Sequence, residues 1–346
     1  MEYDSNKAPK AKLKRMLIRI GIALAVVLLL TLIVYIAVNI FLDSIERIDP
    51  KQVYGSNDPV IAFEQDEPVE KTPVSAQAEE LFVGKDIVNI LLAGQDRRAW
   101  ETEGPQRTDA MILCTVNMKD KTITITSFLC DLWVYIPDLY NQRLNMPYKL
   151  GGFPLLNETL EYNFGVRSDY NIEIDFSGFM KAIDAIGGVE IELTAAEAAY
   201  LNKRGNWGVV TDPKWQLQSG SNLLNGSQAL AYTRISQLGT DFARTNRQRT
   251  VLTALIEKME TIGSADLFDL SREILPLIST DMTDNEIIEL LLHLFPLLSD
   301  LEIRTQHIPM SGQYSYEKKG EADVLVMNKE QLEINKKLLK DTISGQ

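Results

Sequence analysis

The chain of 346 residues has only two cysteines, Cys114 and Cys130, and two histidines, His293 and His307. That scarcity removes whole classes of chemistry. With His293 inside an amphipathic helical pattern, His307 inside a strand pattern and no third histidine, no zinc site is expected. More than 160 residues separate Cys130 from the nearer histidine in sequence, which argues against an activated cysteine nucleophile. Positive charge is short as well, the formal net charge being −13. It is also uneven: Lys7, Lys10, Lys12, Lys14, Arg15 and Arg19 outweigh Glu2 and Asp4, so residues 1–19 carry +4 and the rest −17. So acidic a body lacks the basic face that nucleic acid requires, and a 19-residue tail has no room for a DNA-binding fold.

From Ile20 to Leu42 no residue is charged, and these 23 residues would span roughly 34 Å as a helix, enough for a hydrocarbon core of about 30 Å. The run is longer than the apolar core of a cleavable signal peptide and ends in Asn39, Phe41 and Leu42 rather than small residues. It reads as an uncleaved transmembrane anchor. Basic residues before it and Asp43 and Glu46 after it place the N-terminus in the cytoplasm and the body outside, a single-pass protein of the cell membrane. Residues 43–85 contain Pro50, Pro59, Pro68 and Pro73 and lack a sustained apolar period, the signature of an extracytoplasmic stalk. One domain then fills residues 86–346.

That domain is organised around residues 89–131. An apolar strand over 87–93 breaks at Gly94 and leads Asp96 and Arg98 into a polar loop, which carries Arg107 and Asp109 into a second strand, 111–117. Lys119-Asp120 reads as a two-residue turn before a returning strand, 122–128. Facing residues then sum to 239: 114 opposes 125, and 109 lies beside Cys130 and Asp131. The same register separates Cys114 from Cys130 by about five residues of strand, roughly 16 Å, too far for a disulfide. Carboxylates and guanidiniums gathered at one end of a sheet suggest a divalent metal and a phosphate.

Further on, the pattern is strand 170–175, helix 176–186 and strand 189–193, a β-α-β unit in sequence, and such alternation argues for a sheet layered by helices. A helix leads to Arg234, and a long one begins near Asp241 and runs to about Ile262. Arg244, Arg247 and Gln248 share a face of its first turns. Four of the 15 arginines fall between 234 and 249 with no lysine among them, and the planar guanidinium fork suits phosphate oxygens.

The runs Asn89–Arg98, Arg107-Thr-Asp109-Ala-Met, Ile186-Gly-Gly-Val-Glu190, Leu224–Arg234 and Asp241-Phe-Ala-Arg244-Thr-Asn-Arg247-Gln-Arg249 resemble, in order, the motif series of the LytR-CpsA-Psr family. The resemblance implies an α/β fold, a mixed central β-sheet flanked by helices. It also implies a membrane-anchored phosphotransferase that takes a glycopolymer from an undecaprenyl-diphosphate carrier and joins it to peptidoglycan through a phosphodiester. Position by position, it makes Asp96 and Asp109 ligands of Mg2+ or Mn2+. Arg98, Arg107, Arg234, Arg244, Arg247 and Gln248 would surround the diphosphate, with Asp241, Arg107 and Asp131 at the reaction centre. The chain departs from the family pattern twice: Cys130 stands where Ser-x-Pro-Arg-Asp has its arginine, and Ser236 replaces a second arginine. Those losses sustain an alternative reading, a non-catalytic or weakly active envelope protein that binds polyprenyl phosphate.

Overall fold

A computed structural model of the chain describes residues 42–49, 86–95, 108–203, 205, 211–262, 270, 272–294 and 300–344, without the side chains of Asp109 and Ser344. All but the last residue of the expected span lies outside them, as does most of the expected stalk. No helix among the described residues is long and apolar enough to cross a membrane.

Among the described residues the strands are β1 (Glu46–Arg47), β2 (Ile87–Gln95), β3 (Thr108–Asn117), β4 (Thr122–Phe128), β5 (Trp133–Tyr135), β6 (Asn141–Arg143), β7 (Tyr170–Asp175), β8 (Val189–Leu193), β9 (Gly220–Leu224), β10 (Ile278–Thr280), β11 (Glu302–Ile308), β12 (Ser315–Lys319) and β13 (Ala322–Val326). The helices are α1 (Met146–Phe164), α2 (Phe176–Ala185), α3 (Ala195–Leu201), α4 (Gly226–Thr233), α5 (Asp241–Glu260), α6 (Asp284–Leu294) and α7 (Lys329–Ser344). The main sheet is mixed, in the order β1-β10-β7-β2-β3-β4-β11. Within it β7, β2, β4 and β11 run one way and β3, β10 and β1 the other. The ends of four strands and the starts of three therefore share one edge.

Two apolar clusters hold the layers together. One joins Leu91, Leu113 and Phe128 of the sheet to Leu156 and Leu160 of α1 and Leu339 of α7, all at most 2% exposed. The other joins Ile183 of α2, Val189 and Ile191 of β8, Ala229 of α4 and Val251 of α5. Because β3 is covered on both faces, its middle reads as a continuous apolar run instead of an alternating one.

The β3–β4 register is the one expected, Cys114 opposite Ile125 and Met111 opposite Phe128. The turn is not two residues long: pairing stops at Asn117 and Thr122, leaving residues 118–121 as the loop. Asn117 explains this, since its Oδ1 accepts the Asp120 backbone N–H at 3.0 Å and its Nδ2 donates to the Asp120 carboxylate at 2.8 Å. The expected β-α-β unit is also corrected. Strand β8 does not return to the main sheet but pairs antiparallel with β9 in a separate ribbon. Within the stretch expected as stalk, Glu46 and Arg47 enter the main sheet beside β10.

Candidate functional site

The shared edge is where the sequence-predicted residues meet the chain's folding logic. Asp96, Arg98 and Arg107 lie outside the described residues, but the strands that flank them end there. Gly94 pairs with Ala110 and Gln95 with Thr108, so Asp109 is the extra residue of a β-bulge. Thr108, fully buried, pins the bulge by donating its hydroxyl to Gly94 O at 3.0 Å and Ala110 O at 2.8 Å. A bulge breaks the alternation of a strand and re-aims the residue it carries, which is why such irregularities recur beside functional sites.

At the end of β4 the backbone of residues 129–132 is held from three sides. Leu129 N–H donates to Ile308 O at 2.9 Å, Asn145 N–H to Cys130 O at 3.2 Å and Leu325 N–H to Asp131 O at 2.9 Å. The β5–β6 ribbon folds Arg143 back opposite Trp133, where its Nη1 reaches Asp131 Oδ1 at 3.2 Å. From the other side comes the first turn of α5. Asp241 is the first residue of that helix rather than its cap, which is Thr240. The Arg244 Nη2 lies 3.3 Å from Asp241 Oδ1 and donates to Cys130 Sγ at 2.9 Å. One oxygen of Asp131 and one of Asp241 lie within 4.8 Å of each other. Burial and then the neighbouring Asp241 push Asp131 up to about 7, against the downward pull of Arg143 and Arg244. The result is a close pair of carboxyls, one of them raised to near neutrality, flanked by two guanidiniums.

Cys130 Sγ and one oxygen each from Asp131 and Asp241 lie within 4.8 Å of one another, a group of possible metal donors. It does not suit Mg2+ or Mn2+. Those ions favour oxygen ligands, and here a sulfur takes one place while Arg143 and Arg244 already neutralise the carboxylates.

Other expected residues go elsewhere. Arg234 stacks its guanidinium 4.3 Å above the Phe176 ring, at the end of β7 on the same sheet edge. Arg247 is not brought to the cluster. It is 6% exposed, and its three nitrogens are engaged by Glu197 Oε1 at 2.7 Å, Ile235 O at 3.0 Å and Leu238 O at 2.7 Å. Its i, i+3 spacing from Arg244 predicted a shared face, but α5 turns that side of the helix toward α3, where Glu197 waits. Gln248 lies on α5 with it. Arg143 was missed as a site residue because it sits in a three-residue strand with no helical or hairpin signature; only its separation from Asp131 by a short ribbon could have pointed to it. Both cysteines are free, and burial raises the Cys114 thiol to about 12.

A sequence model of the LytR_cpsA_psr family matches residues 53–341. The polyisoprenyl-teichoic acid–peptidoglycan teichoic acid transferase TagT of Bacillus subtilis (strain 168) is 30% identical over 265 residues, covering 76% of this chain and 79% of that protein. Regulatory protein MsrR of Staphylococcus aureus (strain COL) is 26% identical over 257 residues, 73% of each chain. Among solved structures, TagT with bound octaprenyl pyrophosphate lipid has the same fold, with a TM-score of 0.59 at 23% identity over 80% of this chain and 97% of that one. B. subtilis TagV gives 0.60 at 25% identity, over 75% and 98% respectively. With its mixed sheet, its flanking helices and a match across most of its length, the chain belongs to the LytR-CpsA-Psr family.

Proposed function

We propose that this protein is a membrane-anchored, extracytoplasmic phosphotransferase that moves a glycopolymer, teichoic acid, capsule or a related polysaccharide, from an undecaprenyl-diphosphate carrier to peptidoglycan. The reading is carried by the Asp131–Asp241 carboxyl pair between Arg143 and Arg244, at the sheet edge where Gln95 ends β2 and Thr108 begins β3. It is supported by the transferase name of the relative TagT and by the prenyl pyrophosphate in a TagT structure of the same fold.

In the reaction, the acceptor hydroxyl oxygen attacks the phosphorus nearer the sugar. The bond from that phosphorus to the bridging oxygen breaks, and polyprenyl phosphate departs. The Asp131 carboxylate takes the hydroxyl proton, a task suited to a group raised to about 7. Arg244, from the first turn of α5, offers charge to the phosphate oxygens as negative charge builds. Asp96 and Asp109 would hold Mg2+ or Mn2+, which when bound neutralises phosphate charge.

The alternative, a carrier-binding protein without turnover, is favoured by one observation: Arg244 is partly engaged by Asp241 and by the sulfur of Cys130, at a position where the family pattern has an arginine. One experiment separates the two. The full chain in detergent, given a prenyl-diphosphate-linked sugar, a peptidoglycan fragment and Mn2+, should release prenyl phosphate, and Asp96→Asn, Asp241→Asn and Arg244→Gln should each abolish release. Tight binding of the lipid with no release by the unaltered protein would leave the binding reading standing and refute the transferase.

A further inference from the structure

One group of side chains on the candidate edge has no part in the reaction above: a run of aromatic rings that starts beside the carboxyl pair and ends in solvent. Phe242 follows Asp241 in the first turn of α5. Its ring meets that of His307, next to last in β11, edge-on at 5.2 Å, and stacks on Tyr314 at 4.9 Å with 27° between the planes. Tyr314 in turn meets Tyr316 at 5.5 Å and 87°, a right-angled corner. Phe242 and Tyr314 pack against the apolar core, whereas Tyr316 is 62% exposed. A lone exposed ring needs no explanation, but this one closes a continuous ladder.

The ladder is tied to the carboxyls by backbone as well as by packing. Tyr316 of β12 stands opposite Leu325 of β13, and Leu325 N–H donates to Asp131 O at 2.9 Å. Burial first, then Tyr314, then the charge of Asp241 hold the Tyr316 hydroxyl above its usual value, so that charge is felt at the end of the ladder. Position along the sheet edge gives the corner its direction. In the strand order β7-β2-β3-β4-β11, the end of β7 is followed at once by Phe176, on which Arg234 stacks. Asp109 bulges from β3, Asp131 follows β4 and His307 lies at the end of β11. Strands about 4.8 Å apart put the ends of β7 and β11 roughly 19 Å from each other. Arg234 and the Asp109 bulge thus lie on one side of Asp131 and the rings on the other.

We propose that Tyr316 and Tyr314 form a platform for a sugar ring of the acceptor glycan, the chain whose hydroxyl attacks the phosphorus. The proposal rests on the phosphotransferase reading and assigns to it the acceptor side of the site. A displacement at phosphorus needs its attacking and leaving oxygens roughly in line, so the acceptor enters opposite the phosphate that departs. With Arg234 and the Asp109 bulge toward β7, that approach lies over β11, where the rings stand. The chemistry agrees. A pyranose turns a face of weakly positive C–H groups toward the negative face of an aromatic ring, a contact that asks for no charge, and an N-acetylated sugar carries none. A glycan seated at Tyr316 extends along the ladder toward Phe242, beside the carboxyl pair.

The test is binding of chitotetraose, an uncharged chain of N-acetylglucosamine, to the full chain in detergent, with geranyl pyrophosphate as the probe of the diphosphate side. An aromatic contact of about 0.5–1.5 kcal/mol corresponds to roughly a 2- to 13-fold change in affinity. Tyr316→Ala should weaken chitotetraose by that factor, leave geranyl pyrophosphate unchanged and, because the ring is exposed, melt as the unaltered protein does. Tyr316→Phe keeps the ring and should bind as before; a loss equal to that of Tyr316→Ala would overturn the stacking. Leu223→Ala, an equally exposed change on β9, should alter neither probe, and a matching loss there would overturn the proposal as well. In the transfer assay, Tyr316→Ala should raise KM for the peptidoglycan fragment by the same factor and leave that for the lipid-linked sugar unchanged. The opposite split would put the rings on the donor sugar and refute the acceptor assignment. Binding of geranyl pyrophosphate but not chitotetraose by the unaltered protein sinks this inference alone. Failure to bind geranyl pyrophosphate or to release prenyl phosphate sinks the phosphotransferase reading, and the acceptor role with it.

Discussion

The Glu197–Arg247 pair offers a decisive perturbation, because it determines whether Arg247 is a ligand or part of the frame. Glu197 Oε1 meets Arg247 Nε at 2.7 Å, with side-chain exposures of 10% and 7%. Glu197 also closes the capping box of α3 with Thr194. Removing one partner of a buried pair costs about 3–5 kcal/mol, and losing a cap costs about 1 more. Glu197→Ala should therefore destabilise by roughly 4–6 kcal/mol, a fall in melting temperature on the order of 8–20 °C. Glu197→Gln keeps the box and the packing and should lose less. Burial opposes ionisation of Glu197, yet Arg247 and Thr194 together hold it below the usual 4.5. A carboxyl lowered on folding stabilises above its unfolded value and ceases to do so as pH falls through the folded one. The gap in melting temperature between the unaltered protein and Glu197→Gln should hold above pH 4.5 and close in stronger acid. Calorimetric scans and pyrophosphate titrations of both variants check this. A Glu197→Gln protein that melts normally but binds pyrophosphate more tightly would refute the structural assignment, for it would mean that Glu197 had been restraining a ligand-binding arginine.

Three further outcomes are expected. Asp131 is raised from 3.8 to about 7, so the folded protein holds a proton that the unfolded chain releases; this stability is fully present below pH 3.8 and lost as pH rises through 7. Asp131→Asn should flatten the melting temperature against pH across that window, and an unchanged profile would show that Asp131 is not raised on folding. Cys130→Arg should tighten pyrophosphate binding by roughly 10- to 150-fold, with the gain fading in salt if the contact is partly exposed; equal or weaker binding by a normally melting variant would show that residue 130 does not face the phosphates. If the basic tail and apolar run anchor the body outside the cell, protease added to intact protoplasts should remove the body and leave a small membrane fragment, whereas a protected body would reverse the topology.

What was legible in the sequence follows the range of the forces involved. The β3–β4 register could be read because a hairpin is local and its apolar face allows only one alignment. The long helix at Asp241–Glu260 could be read from its period. Strands β1 and β10, two and three residues long, could not, because neither holds enough residues to show alternation, and β1 meets its partner some 230 positions later. The start of α1 is hidden in the sequence because Gly151, Gly152 and Pro154 have the composition of a loop; both glycines leave helical geometry, Gly152 at φ 64°, and the chain resumes the helix beyond them. The bulge at Asp109 was illegible for the same reason that it matters, since one inserted residue leaves no trace in composition.

At the site, residue types were legible and partners were not. Arg244 and Arg247 are three positions apart on one helix and look equivalent by spacing, yet the first reaches Asp241 and Cys130 while the second is locked to Glu197. Only tertiary packing distinguishes them, because it depends on α3, some 50 residues away. The charge balance then gives the loss at position 130 its meaning. Arg143 and Arg244 bring two positive charges to the carboxyls of Asp131 and Asp241, of which Asp131 is raised to about 7. The two guanidiniums balance the carboxyls when both are ionised and outweigh them when Asp131 is protonated, so an anion meets no net negative charge there. Cys130 in place of arginine leaves that cluster one guanidinium short of the family pattern, with the sulfur engaging Arg244 instead.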